Sequence, residues 1–190
     1  MTGSAVGVVD RLLQKSSACV SWRCIVRPAR QYMDNYFEHA VLDYLKRDRS
    51  VFVNAQYCIQ INPGRLINNR SKDGPVWYCD AVAVNLCKKE VYLCECSYAY
   101  GLTSLIRRLG EWHNNWNGVL NSVVRDGFVP ESWPVRPWLF VPRRFVPLLE
   151  NQRLIDKIAN GQSLRFEPRI TPLEEVVPWL YDYTIVPGSS

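Results

Sequence analysis

Two acids stand inside runs that otherwise read as buried strand: Asp80 in "VWYCDAVAVNL" (76–86) and Glu95 in "EVYLCECS" (90–97). The runs are separated by "CKK", short enough for a hairpin, so antiparallel pairing is expected. With the turn centred between Cys87 and Lys88, facing residues have numbers that sum to 175. Asp80 then faces Glu95, Val82 faces Leu93 and Val84 faces Val91. Alternation along a strand puts all six on one face, most of it apolar. Carboxylates facing each other at about 5 Å repel, and a sheet gains nothing from that by itself. A divalent cation between them would turn repulsion into binding, because Mg²⁺ takes oxygen ligands from one or two carboxylates and fills the rest with water and substrate phosphate. A turn shifted by one residue would instead leave one acid as an ordinary surface group.

The other face of the same register pairs Cys79 with Cys96, which reads as buried, reduced thiols. A zinc centre needs four ligands, and His39 and His113 are the only histidines, so none is expected. The seven cysteines are an odd number lying mostly in apolar runs, a usage that fits a reducing compartment and hence the cytoplasm.

The elements around the hairpin follow from periodicity. Met33, Phe37, Ala40, Val41 and Tyr44 predict a helix over 32–46, and "VFVNAQYCIQI" (51–61) a strand. "NPGRLINNRSKDGP" reads as an exposed loop. After Gly101, the residues Leu102, Leu105, Ile106, Leu109, Trp112, Trp116 and Val119 predict one helix of more than four turns. A proline-bounded strand is expected over 136–142, a helix over 147–160 and a strand near 163–170. Thr171, Pro172 and Glu174 have the pattern of a helix start, which predicts a short final helix through Tyr181.

At 190 residues, 47% hydrophobic and with seven tryptophans, the chain can bury a substantial core and is far too apolar to be disordered. A single domain over 1–190 is expected, with its core at about 30–142 and a C-terminal extension at 143–185. The early apolar run Val6 to Val9 is cut short by Asp10 and Arg11, and nowhere do eighteen uncharged apolar residues follow one another, so neither a signal peptide nor a membrane span is expected. A formal charge of +5 favours an anionic partner such as nucleic acid.

Helix, three-strand meander with an acid on its second strand and another near the end of its third, long helix and further strand: this order resembles the PD-(D/E)XK nuclease superfamily over about residues 30–142. The resemblance implies an α/β (α+β) fold of restriction-endonuclease-like type, an α-β-β-β-α-β core with a mixed central sheet flanked by helices. It implies that Asp80 and Glu95 ligate Mg²⁺ or Mn²⁺ together with the backbone carbonyl of Cys96, and that Glu38 on the first helix is an additional acid. Many nucleases of this fold work as homodimers. The chain departs from the motif where the family has lysine two residues after the glutamate, because Ser97 stands there. A serine cannot supply the positive charge that orients the attacking water and stabilises the pentacovalent phosphate. Lys88 and Lys89 lie at the turn, some seven residues or over 20 Å from Asp80, so they cannot replace it. Some members move the basic group to the following helix, where Arg107 and Arg108 are the candidates.

The expected activity is metal-dependent hydrolysis of phosphodiester bonds, in DNA before RNA. The alternative is a domain that kept the fold and lost the reaction, binding a protein partner or holding nucleic acid by Arg107, Arg108, Arg143 and Arg144 through salt-sensitive phosphate contacts.

Overall fold

Val, Ala, Leu, Tyr and Cys crowd residues 81–94, and these build the centre of a five-stranded sheet. The computed structural model describes residues 35–61, 66–67, 70–71, 75–127 and 129–176, all within one compact unit. Val6–Val9, the start of the first expected helix at 32–34 and the expected final helix from residue 177 to Tyr181 lie outside the described residues.

In chain order the elements are α1 (Asn35–Lys46), β1 (Val51–Gln60), β2 (Leu66–Ile67), β3 (Arg70–Ser71), β4 (Val76–Asn85), β5 (Glu90–Cys96), α2 (Thr103–Asn114), α3 (Trp116–Arg125), β6 (Val135–Val141), α4 (Val146–Leu149), α5 (Gln152–Ile158) and β7 (Arg169–Pro172). The sheet runs β1-β4-β5-β6-β7. β4 is antiparallel to both β1 and β5, whereas β5, β6 and β7 are parallel. The fold is therefore mixed α/β, with a mixed sheet covered by helices on both faces, as expected.

Each face has its own apolar layer. α1 lays Val41, Tyr44 and Leu45 over Ala81, Ala83, Tyr92, Cys94, Trp138 and Phe140. The small alanines leave room for aromatic packing, and the Tyr44 ring meets Trp138 and Phe140 edge-on at 6.4 and 6.2 Å. On the opposite face, Leu105, Leu109 and Trp112 of α2 and Val119 and Val123 of α3 cover Val82, Val84, Val91, Leu93 and Leu139. Burying one such aliphatic side chain stabilises the fold by roughly 1.5–3 kcal/mol. α3 comes so close to the end of β1 that a Cβ on Gly118 would lie 2.8 Å from the Ile61 Cγ2.

Four expectations are corrected. The loop after β1 contains the small β2–β3 hairpin. The long helix is two, because the Asn115 side chain donates to the Glu111 carbonyl at 2.9 Å and its backbone leaves the helical region at φ −119°. Such local side-chain to backbone bonds compete with helix propagation. The helix expected over 147–160 is likewise divided into α4 and α5, with Asn151 capping α5 by accepting the Arg153 N–H. Thr171 caps no helix: it lies in β7, and its hydroxyl accepts from the buried Trp138 indole at 2.8 Å.

Candidate functional site

The β4–β5 hairpin has the register read from the sequence as far as Ala81↔Cys94, but the expected rung of Asp80 facing Glu95 is not formed. Its pairs are Asn85↔Glu90, Val84↔Val91, Ala83↔Tyr92, Val82↔Leu93 and Ala81↔Cys94. Beyond Cys94 the two strands part. β5 stays in step with β6 through Glu95↔Leu139 and Cys96↔Phe140, without β4 beside it. On the other flank β1 and β4 skip one rung, pairing Ala55↔Ala81 and then Tyr57↔Cys79. Between them Gln56 takes a left-handed φ of 55°. Alternation turns over there: Ala81 and Ala83 belong to the α1 layer, whereas Cys79 packs in the opposite layer with Tyr57 and Ile59. The expected pairing of Cys79 with Cys96 is therefore not formed, since Cys96 packs against the α1 layer.

Asp80 sits at this opening. Its Oδ2 accepts the Cys96 N–H at 2.6 Å, so a carboxylate replaces the missing backbone rung. Burial raises the Asp80 pKa, against the opposing effects of that N–H and of Arg108. Glu95 is only 4% exposed. Arg108 of α2 brings Nη1 to 2.6 Å from each Glu95 oxygen and also donates to the Tyr78 carbonyl at 2.8 Å, bridging the parted strands. Despite this partner, burial first and then the Asp80 charge push Glu95 up to about 8, with a smaller contribution from Glu38. Burial would lower Arg108, but the Glu95 carboxylate outweighs it and the guanidinium is raised. Glu38, in the first turn of α1, acts on the site through its charge on Glu95 and Cys96.

The remaining candidates divide. Arg107 points away and pairs with Glu111 at 2.7 Å on the exposed helix face. Its neighbour could have been preferred from the helical wheel: Arg108 lies about 60° from Leu105, at the margin of the apolar stripe, and Arg107 about 160° away. The backbone of Ser97 continues β5 by donating to the Phe140 carbonyl at 2.9 Å. Arg143 donates its backbone N–H to Glu174 at 2.8 Å and its guanidinium to Glu175 at 2.5 Å. Arg144 lies over the Phe145 ring, 4.8 Å from its centroid. Lys88 and Lys89 are exposed at the hairpin turn. The Tyr78 carbonyl and the left-handed Gln56 are parts of the site that strand patterning did not point to.

Among the described residues, no three of His, Cys, Asp and Glu are gathered into a group that could hold a metal ion. The arrangement does bring two carboxylates and an arginine to the open end of the hairpin, with a third acid acting at longer range. Such a set can hold a cation, orient a phosphate or hold a proton near neutral pH. No protein-family model matches the chain, and no curated protein matches it at a significant level.

Proposed function

We propose that this chain is a nuclease-like protein that hydrolyses phosphodiester bonds in nucleic acid, with DNA the expected polymer and Mg²⁺ or Mn²⁺ the cofactor. The observation that carries this reading is the placing of two buried acids at the open end of one hairpin: Asp80 accepts the Cys96 N–H at 2.6 Å where the ladder stops, and Glu95, 4% exposed and bound by Arg108, is pushed up to about 8 by burial and then by the Asp80 charge. A structural ion pair does not need a second acid; a site that takes up a cation does.

The donor set fits a hard cation. Its free charge is on oxygen, and the neighbouring thiols of Cys79 and Cys94 are kept protonated by burial. Asp80 and Glu95 would hold the ion with the Cys96 carbonyl. A carboxylate has about four lone-pair positions, so the Cys96 N–H and Arg108 leave some on each acid. When bound, such a metal lowers the pKa of a water and polarises the scissile phosphate. Arg108, which pairs with Glu95 at 2.6 Å, would supply the positive charge that Ser97 lacks as charge develops on phosphate. The order α1, β1, β4, β5, α2, β6, set apart from the small β2–β3 pair and α3, and the antiparallel β4 inside the sheet are in keeping with the restriction-endonuclease-like resemblance. The free cysteines, of which Cys79 and Cys94 are buried, suit a cytoplasmic setting. No described helix is long and apolar enough to cross a membrane.

Plasmid DNA incubated with the protein and Mg²⁺ or Mn²⁺ tests the proposal. Nicking that is lost in Asp80→Ala and in Glu95→Ala is the expected result; nicking indifferent to both changes would refute the site. The presence of Ser97 in the lysine position favours a second reading, a nucleic-acid-binding domain without turnover. Tight, salt-sensitive DNA binding with no cleavage in either metal would select it.

A further inference from the structure

The segment that leaves β5 carries two tyrosines, one on either side of Ala99, and their rings go to different neighbours. Tyr98 meets Phe37 of α1 at 5.1 Å, and Phe37 in turn meets Tyr36 at 5.4 Å. Tyr100 meets Phe145 edge-on at 6.4 Å, and the Arg144 guanidinium covers that ring. Because β5 and β6 are parallel and in step at Cys96↔Phe140, residues 97–102 and 142–145 leave the same edge of the sheet. That edge is the open end of the hairpin. Tyr100 is five positions beyond Glu95, so their Cα atoms lie within about 18 Å of each other.

The outer rings of this strip are bare. Tyr36 is 72% exposed and Tyr100 is 93% exposed. Tyr100 is held out by backbone: Gly101 and Leu102 both take left-handed φ values, 73° and 51°, and the Leu102 side chain is fully buried. A leucine in that region is strained, and its burial offsets the strain. The turn is thus fixed from below, with an aromatic at its apex.

We propose that Tyr36 and Tyr100 are stacking platforms for the bases of single-stranded nucleic acid, laid across the acid site with Arg144 beside its backbone. This rests on the nucleic-acid reading above and narrows its substrate to unpaired stretches of strand, which supercoiled plasmid also exposes. Exposed aromatics interleaved with cations accept any unstacked base on a ring face and hold the backbone by charge. The bases of a duplex are already stacked on one another and offer no free face to these rings. The +5 charge of the chain favours a polyanion over an acidic surface of its own kind.

Fluorescence anisotropy of the full-length chain at low salt, with EDTA present, separates the possibilities. The probes are fluorescein-labelled oligothymidylate and a blunt duplex of equal length. The wild type should bind the single strand more tightly. Tyr100→Ala and Tyr36→Ala should each weaken single-strand binding by about fivefold to a hundredfold and leave duplex binding alone, while Tyr100→Phe should retain it. Both tyrosines are exposed, and unchanged circular dichroism and thermal unfolding would confirm that the variants fold. Preference for duplex, or alanine variants that bind the single strand as the wild type does, would overturn the platforms while leaving Asp80-dependent nicking of plasmid intact. Failure of the wild type to bind either probe, both in EDTA and with Ca²⁺ in place of Mg²⁺, would overturn the nucleic-acid reading and the platforms together. Self-association that Tyr100→Ala abolishes without changing oligothymidylate affinity would assign the strip to contacts between copies of the chain and overturn the proposal.

Discussion

The two ends of the β4–β5 hairpin are built from the same strands and solve different problems. Toward the turn, Val82, Val84, Val91 and Leu93 face one another across an unbroken ladder and are sealed under α2 and α3. Toward the open end, the ladder stops, a carboxylate takes the place of a rung, and Arg108 is inserted between Tyr78 and Glu95. The closed end lowers free energy by removing apolar surface from water. The open end places two acids together in a setting that raises the pKa of both. On the proposed function, neighbouring rungs separate stability from chemistry, and changing each end in turn should affect a different measurement.

The largest effect should come from the open end and appear in activity. Asp80→Asn keeps an oxygen for the Cys96 N–H but removes a charge, so metal-dependent cleavage should fall by at least about a hundredfold. Its unfolding free energy should stay level or rise, because Glu95 loses a repulsive neighbour. Leu93→Ala is the converse. Leu93 is fully buried, so urea unfolding should show a loss of about 2–5 kcal/mol, while cleavage per folded molecule stays near wild type. A stability loss in Asp80→Asn as large as that in Leu93→Ala would end the distinction between the two ends.

The closed end was also the more legible in the sequence. A short turn and two runs of alternating apolar residues determine the register from Asn85↔Glu90 to Ala81↔Cys94, and the two acids lie just past its end. The break in the ladder was not legible, because "VFVNAQYCIQI" contains no glycine to mark a left-handed residue, and the tertiary structure requires one at Gln56. The division of the long helix was hidden because Trp112, Trp116 and Val119 keep the same period on both sides of Asn115; the paired asparagines were the available signal. Thr171 misled for a different reason. Its hydroxyl has the chemistry of a cap, but an indole brought from β6 claims it, and no local pattern reveals that partner.

Arg108→Met examines what holds the open end together. Near pH 6 Glu95 is already protonated in the folded chain, so the substitution should cost little there. Above pH 8 the native Glu95 ionises against its arginine, and in the variant it has no guanidinium to ionise against. The loss should grow with pH toward roughly 3 kcal/mol, at the low end for breaking a buried pair because Arg108 still reaches solvent. Urea titrations at several pH values would measure it. A loss independent of pH would mean that Arg108 acts by packing its stem alone.

The effect smallest at any one pH step is a slope, and its sign is determined. An unfolded glutamate titrates near 4.5, whereas Glu95 in the folded chain titrates at about 8. Between these values the folded state holds a proton that the unfolded state has released, so stability falls as pH rises through that window, by at most about 1.4 kcal/mol per unit. The raised Asp80 adds to the fall. His113, lowered by burial and by Arg165, acts in the opposite direction at the acid end of the window, so the useful quantity is wild type minus Glu95→Gln. That difference should decline from about pH 5 to pH 8. Mg²⁺ favours the ionised carboxylates, so saturating metal should flatten the decline and raise stability most near pH 8. If the difference curve is the same with and without Mg²⁺, the two acids do not share a cation, and the open end is a strained ion pair and nothing more.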